Sequence, residues 1–216
     1  MSNTIKSLNK KLREEIDIIR DEDFEIIVKY INLAVKIYDN KNTIKSDILW
    51  EEALDDIKEQ FYIMFEKVYK KVNEYLKKMY GTRIPEIKIK DLSDLLYNED
   101  GKTFEERVDE HWDEGKVMLL DNEGKDKVKR KLHNDYNKIA ISEVRSIESH
   151  LKEMKKPLTA EILVIESGCD KCEGGEYPAD EDIPLPPYHP CCNCSHYYEE
   201  TDLSDEIEDL DLDGEE

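Results

Sequence analysis

Apolar residues recur every three or four positions along most of the chain, which is the spacing of helices that bury one face. The pattern predicts a first helix over about 4–38 and a second helix that runs to about Tyr80. A polar break at 39–43 separates the two, and Gly81 followed by Pro85 is typical of a helix end. The apolar stripe of the second helix consists of Leu54, Ile57, Phe61, Met64, Phe65, Val68, Val72, Tyr75 and Leu76.

Two further helices are predicted between Thr103 and Met154. Thr103 and Glu106 have the spacing of a capping box, so a third helix should begin there and end at 122–124. A fourth helix from about Lys125 to Met154 has the most regular apolar pattern in the chain. Its apolar positions are Val128, Leu132, Tyr136, Ile139, Ala140, Val144, Ile147 and Leu151.

The remaining stretches are predicted to be less regular. A connector with at most a short helix around 92–96 joins the second and third helices. Beyond Pro157, the β-branched segment 158–166 predicts one strand. Two glycines and five prolines between Cys172 and Cys191 favour an irregular loop over a helix or strand. The predicted fold class is mainly α, with long N-terminal helices, a helical core, a small strand, a cysteine-rich loop and a C-terminal tail.

The charge of the chain limits what this fold could bind. Charged residues make up 39% of the sequence and the net charge is -21, which argues against a protein whose main role is gripping nucleic acid. Residues 199–216 hold 11 acidic and no basic side chains, which predicts a disordered acidic tail.

No apolar run reaches the roughly 18 residues that span a bilayer, and the N-terminus lacks the apolar core of a signal peptide. We therefore expect a protein that is cytosolic when made and has no membrane partner.

All five cysteines lie between Cys169 and Cys194, which points to one local site. Two cysteines in C-x2-C spacing and a second group 18 residues later can supply four thiolates to one tetrahedral ion. Cys172, Cys191 and Cys194 fit the usual spacing of such a zinc site. Reduced thiols, disulfides, and a redox or catalytic role are the alternatives. His189 is either a further ligand or a ring packed beside its neighbouring prolines.

Other chemistry is sparse in the sequence. It holds no phosphate-binding loop, no dinucleotide-binding glycine motif and no hydrolase signature, so we predict a protein without catalytic activity. A basic run at 125–131 is interpreted as the solvated face of the fourth helix. Together with the cysteines, the same run is the basis for an alternative hypothesis, in which the chain is a zinc-knuckle adaptor that binds nucleic acid or regulates a partner.

Three segments carry a resemblance to a known family. The most specific is 186–194, P-P-Y-H-P-C-C-N-C, preceded by a C-x2-C pair at 169–172. The other two lie upstream, at 100–107 (D-G-K-T-F-E-E-R) followed by Trp112, and at 139–143 (I-A-I-S-E). The segment 186–194 resembles the C-terminal signature of the Mu F-type minor head (head morphogenesis) proteins of tailed phages. The segment at 100–107 is similar to that family's entry into its helical core, and 139–143 is similar to its I-A-R-T-E helix.

The resemblance covers about 97–196, and the chain departs from it at three positions. Ile141 stands where the family usually has arginine, and Glu166 stands where it often has aspartate. Asn193 replaces the arginine between the last two cysteines. Any role of the two family arginines is therefore not carried over to this chain.

The resemblance implies a ligand set for the metal. Aligned on the family pattern, the metal ligands would be Cys169, Cys172, Cys192 and Cys194, and Cys191 would be an extra cysteine. The cofactor that the cysteine spacing and the surplus of donors favour is structural zinc in closed coordination.

The resemblance also implies a function. The chain would be a minor structural protein inside the phage head, in contact with the portal or the major capsid protein and weakly with packaged DNA. It would act in assembly, packaging or ejection without catalysis, and would reside in the host cytoplasm until assembly. The predicted domains are an N-terminal helical arm or hairpin (1–96), a Mu F-like helical core with the cysteine-rich loop (97–198), and the acidic tail (199–216).

Overall fold

The computed structural model describes residues 2–38, 43–81, 96, 101–187, 189 and 192–199. Within these residues the chain forms four helices followed by three strands. The helices are α1 (Ser2–Ile37), α2 (Thr43–Tyr80), α3 (Phe104–Leu120) and α4 (Lys125–Met154). The strands are β1 (Ile162–Glu166), β2 (Gly175–Pro178) and β3 (Ser195–Glu199). The predicted mainly α fold class is confirmed. The predicted tail beyond Glu199 and the short helix predicted around 92–96 lie outside the described residues, apart from Leu96.

The helices pack side by side with alternating direction. α1 and α2 are joined by a short connection and pack against each other, as do α3 and α4. α4 also lies antiparallel to α1, because Lys152 near its end bonds to Asn9 while Lys125 at its start bonds to the backbone of Lys36. α2 contacts both α3 and α4. The four helices therefore form a bundle in which α4 touches each of the other three. None of the described helices is long and apolar enough to cross a membrane.

One hydrophobic core runs through all four helices. Trp50 of α2 stacks on Trp112 of α3 with ring centroids 4.0 Å apart, and Phe61 of α2 meets Phe104 edge-on at 5.2 Å. Every position of the apolar stripes predicted for the second and fourth helices is buried in this core. The residues on both sides of the predicted 96/97 domain boundary thus bury their apolar surface together. That boundary itself stays a prediction.

The capping prediction for α3 is confirmed. The Thr103 hydroxyl accepts a hydrogen bond from the backbone N–H of Glu106, and the Glu106 carboxylate accepts one from the backbone N–H of Thr103. At the other end of α3, Val117 and Leu120 are exposed and Leu119 is buried. The apolar residues that α3 contributes to the core are Phe104, Val108, Trp112 and Leu119.

The strand predicted within 158–166 is confirmed as β1, but β2 and β3 were not predicted, and the segment between Cys172 and Cys191 is not irregular throughout. β1 is the central strand of an antiparallel sheet with the order β2-β1-β3. β1 starts at Ile162 because 158–159 form a turn. β2 lies inside the segment predicted to be irregular, and its proline ends the strand at the sheet edge, where the missing N–H costs no ladder bond. β3 is buried along most of its length because α1 and α4 also pack against it.

The middle of α4 is buried on every side although much of it is polar. Residues 142–149 are all buried, since α1, α2, α3 and β3 surround this helix. The charged side chains among them are paired. Arg107 of α3 forms an ion pair with Glu143, and Glu148 accepts hydrogen bonds from Arg145 at 2.9 Å and from Lys152 at 2.5 Å. These pairs fix how α4 sits in the bundle.

The Arg107–Glu143 pair gives a test of this packing. Arg107→Ala leaves the carboxylate of Glu143, which is 0% exposed, without the cation beside it. We expect the free energy of unfolding to fall by about 3–5 kcal/mol, the usual cost of stranding one partner of a buried ion pair. The measurement is urea unfolding followed by circular dichroism.

The matched control is Lys102→Ala, which removes the partner of Glu110 in an ion pair whose side chains are both 47% exposed. It should cost less than about 1 kcal/mol. Equal effects of the two substitutions would contradict a buried, structural role for Arg107.

Candidate metal centre

The sheet brings the two halves of the cysteine cluster together. Cys169 and Cys172 lie in the turn that follows β1, and Cys192 and Cys194 lie directly before β3. β1 and β3 are antiparallel neighbours, and Glu166 at the end of β1 pairs with Ser195 at the start of β3. The segment leaving β1 and the segment entering β3 therefore meet at the same end of the sheet.

The donor atoms are spaced as a tetrahedral ion requires. The sulfurs of Cys169 and Cys194 are 3.8 Å apart, and those of Cys172 and Cys192 are 3.9 Å apart. Zinc–sulfur bonds of about 2.3 Å in a tetrahedron place two sulfurs about 3.8 Å apart. The Nε2 atom of His189 lies 3.4 Å from the sulfur of Cys169 and 3.3 Å from that of Cys172. The corresponding sulfur–nitrogen distance around zinc is about 3.6 Å. The cluster thus fits a metal ion.

More donors converge here than one tetrahedral ion can use. The donor atoms of Cys169, Cys172, His189 and Cys192 all lie within 4.8 Å of one another, so this group could hold a metal ion. Cys194, the remaining member of the predicted ligand set, lies beside Cys169 as a fifth donor. Cys191, the extra cysteine of the family alignment, lies outside the described residues. The sequence pattern left the role of His189 open, and the structure places its ring nitrogen between two thiols.

The four described cysteines are free thiols. Their sulfur separations of 3.8 and 3.9 Å are far longer than the roughly 2.05 Å of a disulfide bond. The backbone N–H of Lys171 is the main cause that lowers the pKa of Cys169 to about 6, whereas desolvation and the neighbouring Cys169 raise the pKa of Cys172. Desolvation also raises the pKa of Cys194. A bound cation would stabilise all of these thiols as thiolates.

Backbone contacts around Gly168 hold the cluster in place. The N–H of Gly168 donates a hydrogen bond to the sulfur of Cys194 at 3.3 Å. The hydroxyl of Ser167 donates to the carbonyls of Cys169 and Cys172 at 2.9 and 2.7 Å, which closes the C-x2-C turn. A side chain at Gly168 would overlap the carbonyl group of Asn193, whose carbon lies 2.5 Å from the position a Cβ would take. The backbone segments at Gly168 and Asn193 therefore approach each other as closely as a glycine allows.

Asn193 connects the cysteine loop to the helical bundle. Its side-chain oxygen accepts hydrogen bonds from Arg145 of α4 at 2.8 and 3.1 Å and from Arg13 of α1 at 3.3 Å. Its backbone carbonyl also accepts from Arg13. Arg145 in turn pairs with Asp17 of α1 at 2.8 Å. In the sequence, Asn193 stands out only as a departure from the family pattern, since no local pattern could indicate partners 48 and 180 residues away.

His196 flanks the cluster but does not take part in it. Its ring is fully buried and lies 3.3 Å from the hydroxyl of Ser149 on α4. Burial lowers its pKa to about 3, so it is neutral at physiological pH. It is a packed core residue of β3.

Most lysines of the basic run at 125–131, which was predicted to be a solvated helix face, form ion pairs or hydrogen bonds. Lys127 pairs with Glu123, Lys131 pairs with Glu114 and Asp135, and the ammonium of Lys125 donates to backbone carbonyls. His111, Glu114 and Asp135 also form a group that could hold a cation. The ammonium of Lys131, however, already lies 2.7 and 2.6 Å from the two carboxylates. The cysteine cluster is therefore the stronger candidate for a metal site.

Comparison of the chain with known protein families, with curated proteins and with solved structures finds no match.

Gly168→Ala should disrupt the candidate site without touching a donor atom. The added methyl group collides with the backbone of Asn193, so the two halves of the cluster must move apart. We expect faster proteolytic cleavage between 165 and 199 and a lower midpoint of thermal unfolding, measured by limited proteolysis with mass spectrometry and by calorimetry.

Gly124→Ala is the control, because a Cβ at this helix N-cap has no atom within 4 Å and its φ of -61° suits alanine. It should leave both measurements nearly unchanged. If Gly168→Ala behaves in the same way, the close approach of the two segments is not needed for the fold.

Proposed function

We propose that the cysteine cluster is a structural zinc site that holds the C-terminal loop against the helical bundle. Three thiolates from Cys169, Cys172 and Cys192 form its constant part, and His189 completes the tetrahedron. The observation that carries this proposal is the spacing of the donor atoms. Both the sulfur–sulfur and the sulfur–nitrogen distances match those between ligands of a tetrahedral zinc ion. Cys194 stays the alternative fourth ligand, since its sulfur lies 3.8 Å from that of Cys169, the distance expected for two sulfurs bound to one zinc ion.

The chemistry of the donors favours zinc. Thiolates with one imidazole suit Zn²⁺ in tetrahedral geometry, whereas magnesium and calcium need oxygen ligands. A site with four protein donors and a fifth in reserve has no open position for water or substrate, so it supports architecture and not catalysis. Since a loop of this composition buries few apolar side chains, zinc binding would supply folding free energy directly.

Zinc content provides the test of this site. The two adjacent substitutions Cys192→Ser and Cys191→Ser make the same chemical change one residue apart. Protein purified without chelator should contain about one equivalent of zinc. Cys192→Ser should lose it together with protease resistance between 165 and 199, and Cys191→Ser should retain both. The measurements are inductively coupled plasma mass spectrometry and limited proteolysis.

His189→Gln and Cys194→Ser then identify the fourth ligand, because the substitution of the true ligand should weaken zinc retention against a chelator by the larger factor. Absence of zinc from the wild-type protein would overturn the proposal. If only Cys191→Ser loses zinc, the ligand is Cys191 and not Cys192.

We further propose that the chain is a minor structural protein of a tailed-phage head, in contact with the portal or capsid shell. The contacts between the three segments that carry the family resemblance support this. Arg107 of the first segment forms a buried ion pair with Glu143 of the second, and Trp112 stacks on Tyr136 of α4 at 6.2 Å. Arg145, two residues after the second segment, holds Asn193 of the third. Residues of the first two segments thus contact each other directly, and the third is joined to α4 through Arg145 beside the second segment, which is compatible with one structural core.

This proposal predicts that the chain is a component of virus particles. Mass spectrometry of density-purified particles from cells that produce the chain should detect it at a few copies per particle, and nuclease treatment should not release it. Particles whose protein inventory lacks the chain would overturn the assignment while leaving the zinc site intact.

A further inference from the structure

The first turns of α1 form a basic island on an acidic protein. Residues 4–13 contain three lysines and one arginine and no acidic residue, although the chain as a whole carries a net charge of -21. Lys6, Lys10 and Lys11 are exposed, and within the described part of the chain no partner is seen for any of the three. Most other cations of known placement are paired. An unpaired cluster of this kind attracts anionic groups.

The island faces a groove beside the candidate zinc site. This groove has a volume of about 590 Å³ and lies between α1 and the end of β1. Lys6, Lys10 and Arg13 line it together with the hydroxyls of Ser7 and Ser167. Three carboxylates also line it: Glu166 accepts a hydrogen bond from Asn9, Asp17 pairs with Arg145, and Glu14 is exposed. The ammonium groups of Lys6 and Lys10 outnumber the exposed carboxylate of Glu14 at the mouth of the groove.

We propose that the acidic segment 200–216 of the same chain docks in this groove. The segment carries ten acidic and no basic side chains, and its charge is therefore complementary to the basic island. Four apolar residues, Leu203, Ile207, Leu210 and Leu212, lie among the acids and can contact the apolar parts of the lysine stems. The proposal concerns a different surface from the zinc site and does not depend on it.

The starting point of the segment makes this docking feasible. β3 begins next to α1, where Asn9 donates a hydrogen bond to the hydroxyl of Ser195 at 3.2 Å. The strand spans about 13 Å at roughly 3.3 Å per residue, so Glu199 lies within about 20 Å of the groove. A segment of 17 residues can extend over about 55 Å, which is more than enough to return.

The covalent connection favours this segment over a separate polyanion. A tethered ligand of this length acts at an effective concentration in the millimolar range, which exceeds that of most free competitors. The docked segment would therefore screen the basic island at rest. An external polyanion, such as a nucleic acid backbone, could occupy the groove only by displacing it, and rising salt would weaken both interactions.

Zero-length carbodiimide cross-linking of the full-length protein tests the proposal, since this reagent joins a lysine amine only to a carboxylate in contact with it. We expect the monomer to yield amide links from Lys6 or Lys10 to carboxylates of 200–216, identified by mass spectrometry after digestion. Their yield should fall about fivefold or more in 1 M sodium chloride, where the Debye length is about 3 Å. The double variant Lys6→Gln with Lys10→Gln should abolish these links.

Lys29 provides the matched control, because it is an exposed lysine of the same helix, lies within reach of the segment and has no partner within the described part of the chain. Lys29→Gln should leave the links unchanged, and Lys29 itself should acquire few. Links spread evenly over Lys6, Lys10 and Lys29 would overturn the proposal, as would links found only in cross-linked dimers, which would make a second copy the partner. Absence of any link to 200–216 would also overturn it.

Discussion

The position of the cysteine loop depends on a chain of buried hydrogen bonds that begins at Asn193. Arg145 donates to Asn193 and to Glu148, Glu148 accepts from Lys152, and Lys152 donates to Asn9. Asn9 then donates to Glu166 and Ser195, which close the circuit at the paired ends of β1 and β3. Three of these groups, Arg145, Glu148 and Lys152, are charged side chains buried inside the protein. Each charge is tolerable only while its partners stay in place, so the network specifies a single arrangement of loop, sheet and helices.

The protonation of this network follows from its geometry. Burial alone would raise the pKa of Glu148, but Lys152 and Arg145 outweigh it and lower the pKa to about 2. A folded-state pKa below the ordinary value means that the carboxylate stabilises the fold at neutral pH. That contribution is lost only as the pH falls below the unfolded value towards 2. The contribution of Glu148 is therefore constant across the physiological range, whereas burial lowers the pKa of its partner Lys152.

The helices could be predicted from sequence because their stability comes from a repeating apolar face. Each of the stripes in α2 and α4 is a local signal, and the buried residues are those that the spacing indicates. The polar residues of α4 show the limit of this reasoning. Arg145, Glu148 and Lys152 look like solvent-facing positions, and only the packing of α1 and β3 on that side of the helix buries them. Their partners are distant in sequence, so no local pattern could reveal them.

The candidate site was predictable in kind but not in detail. The clustering of the cysteines is visible in the sequence and favours a metal site. Which of the five cysteines and His189 bind the metal depends on how the loop folds. β2 and β3 were missed for a related reason. Glycine and proline in β2 hide its strand character, and the histidine and tyrosines of β3 follow the cysteines too closely to form a separate apolar pattern. Both strands owe their conformation to pairing with β1 and not to their own propensity.

Asn193 shows how a single polar residue can position the cysteine loop. Its side-chain oxygen is an acceptor, and Arg13 of α1 and Arg145 of α4 supply the donors. A hydrogen bond between loop and bundle needs one donor and one acceptor. An arginine at this position would instead face the guanidinium groups of Arg13 and Arg145, and the side-chain acceptor that ties the loop to both helices would be lost. The amide at 193 and the two arginines therefore act as one unit, although they come from three separate parts of the sequence.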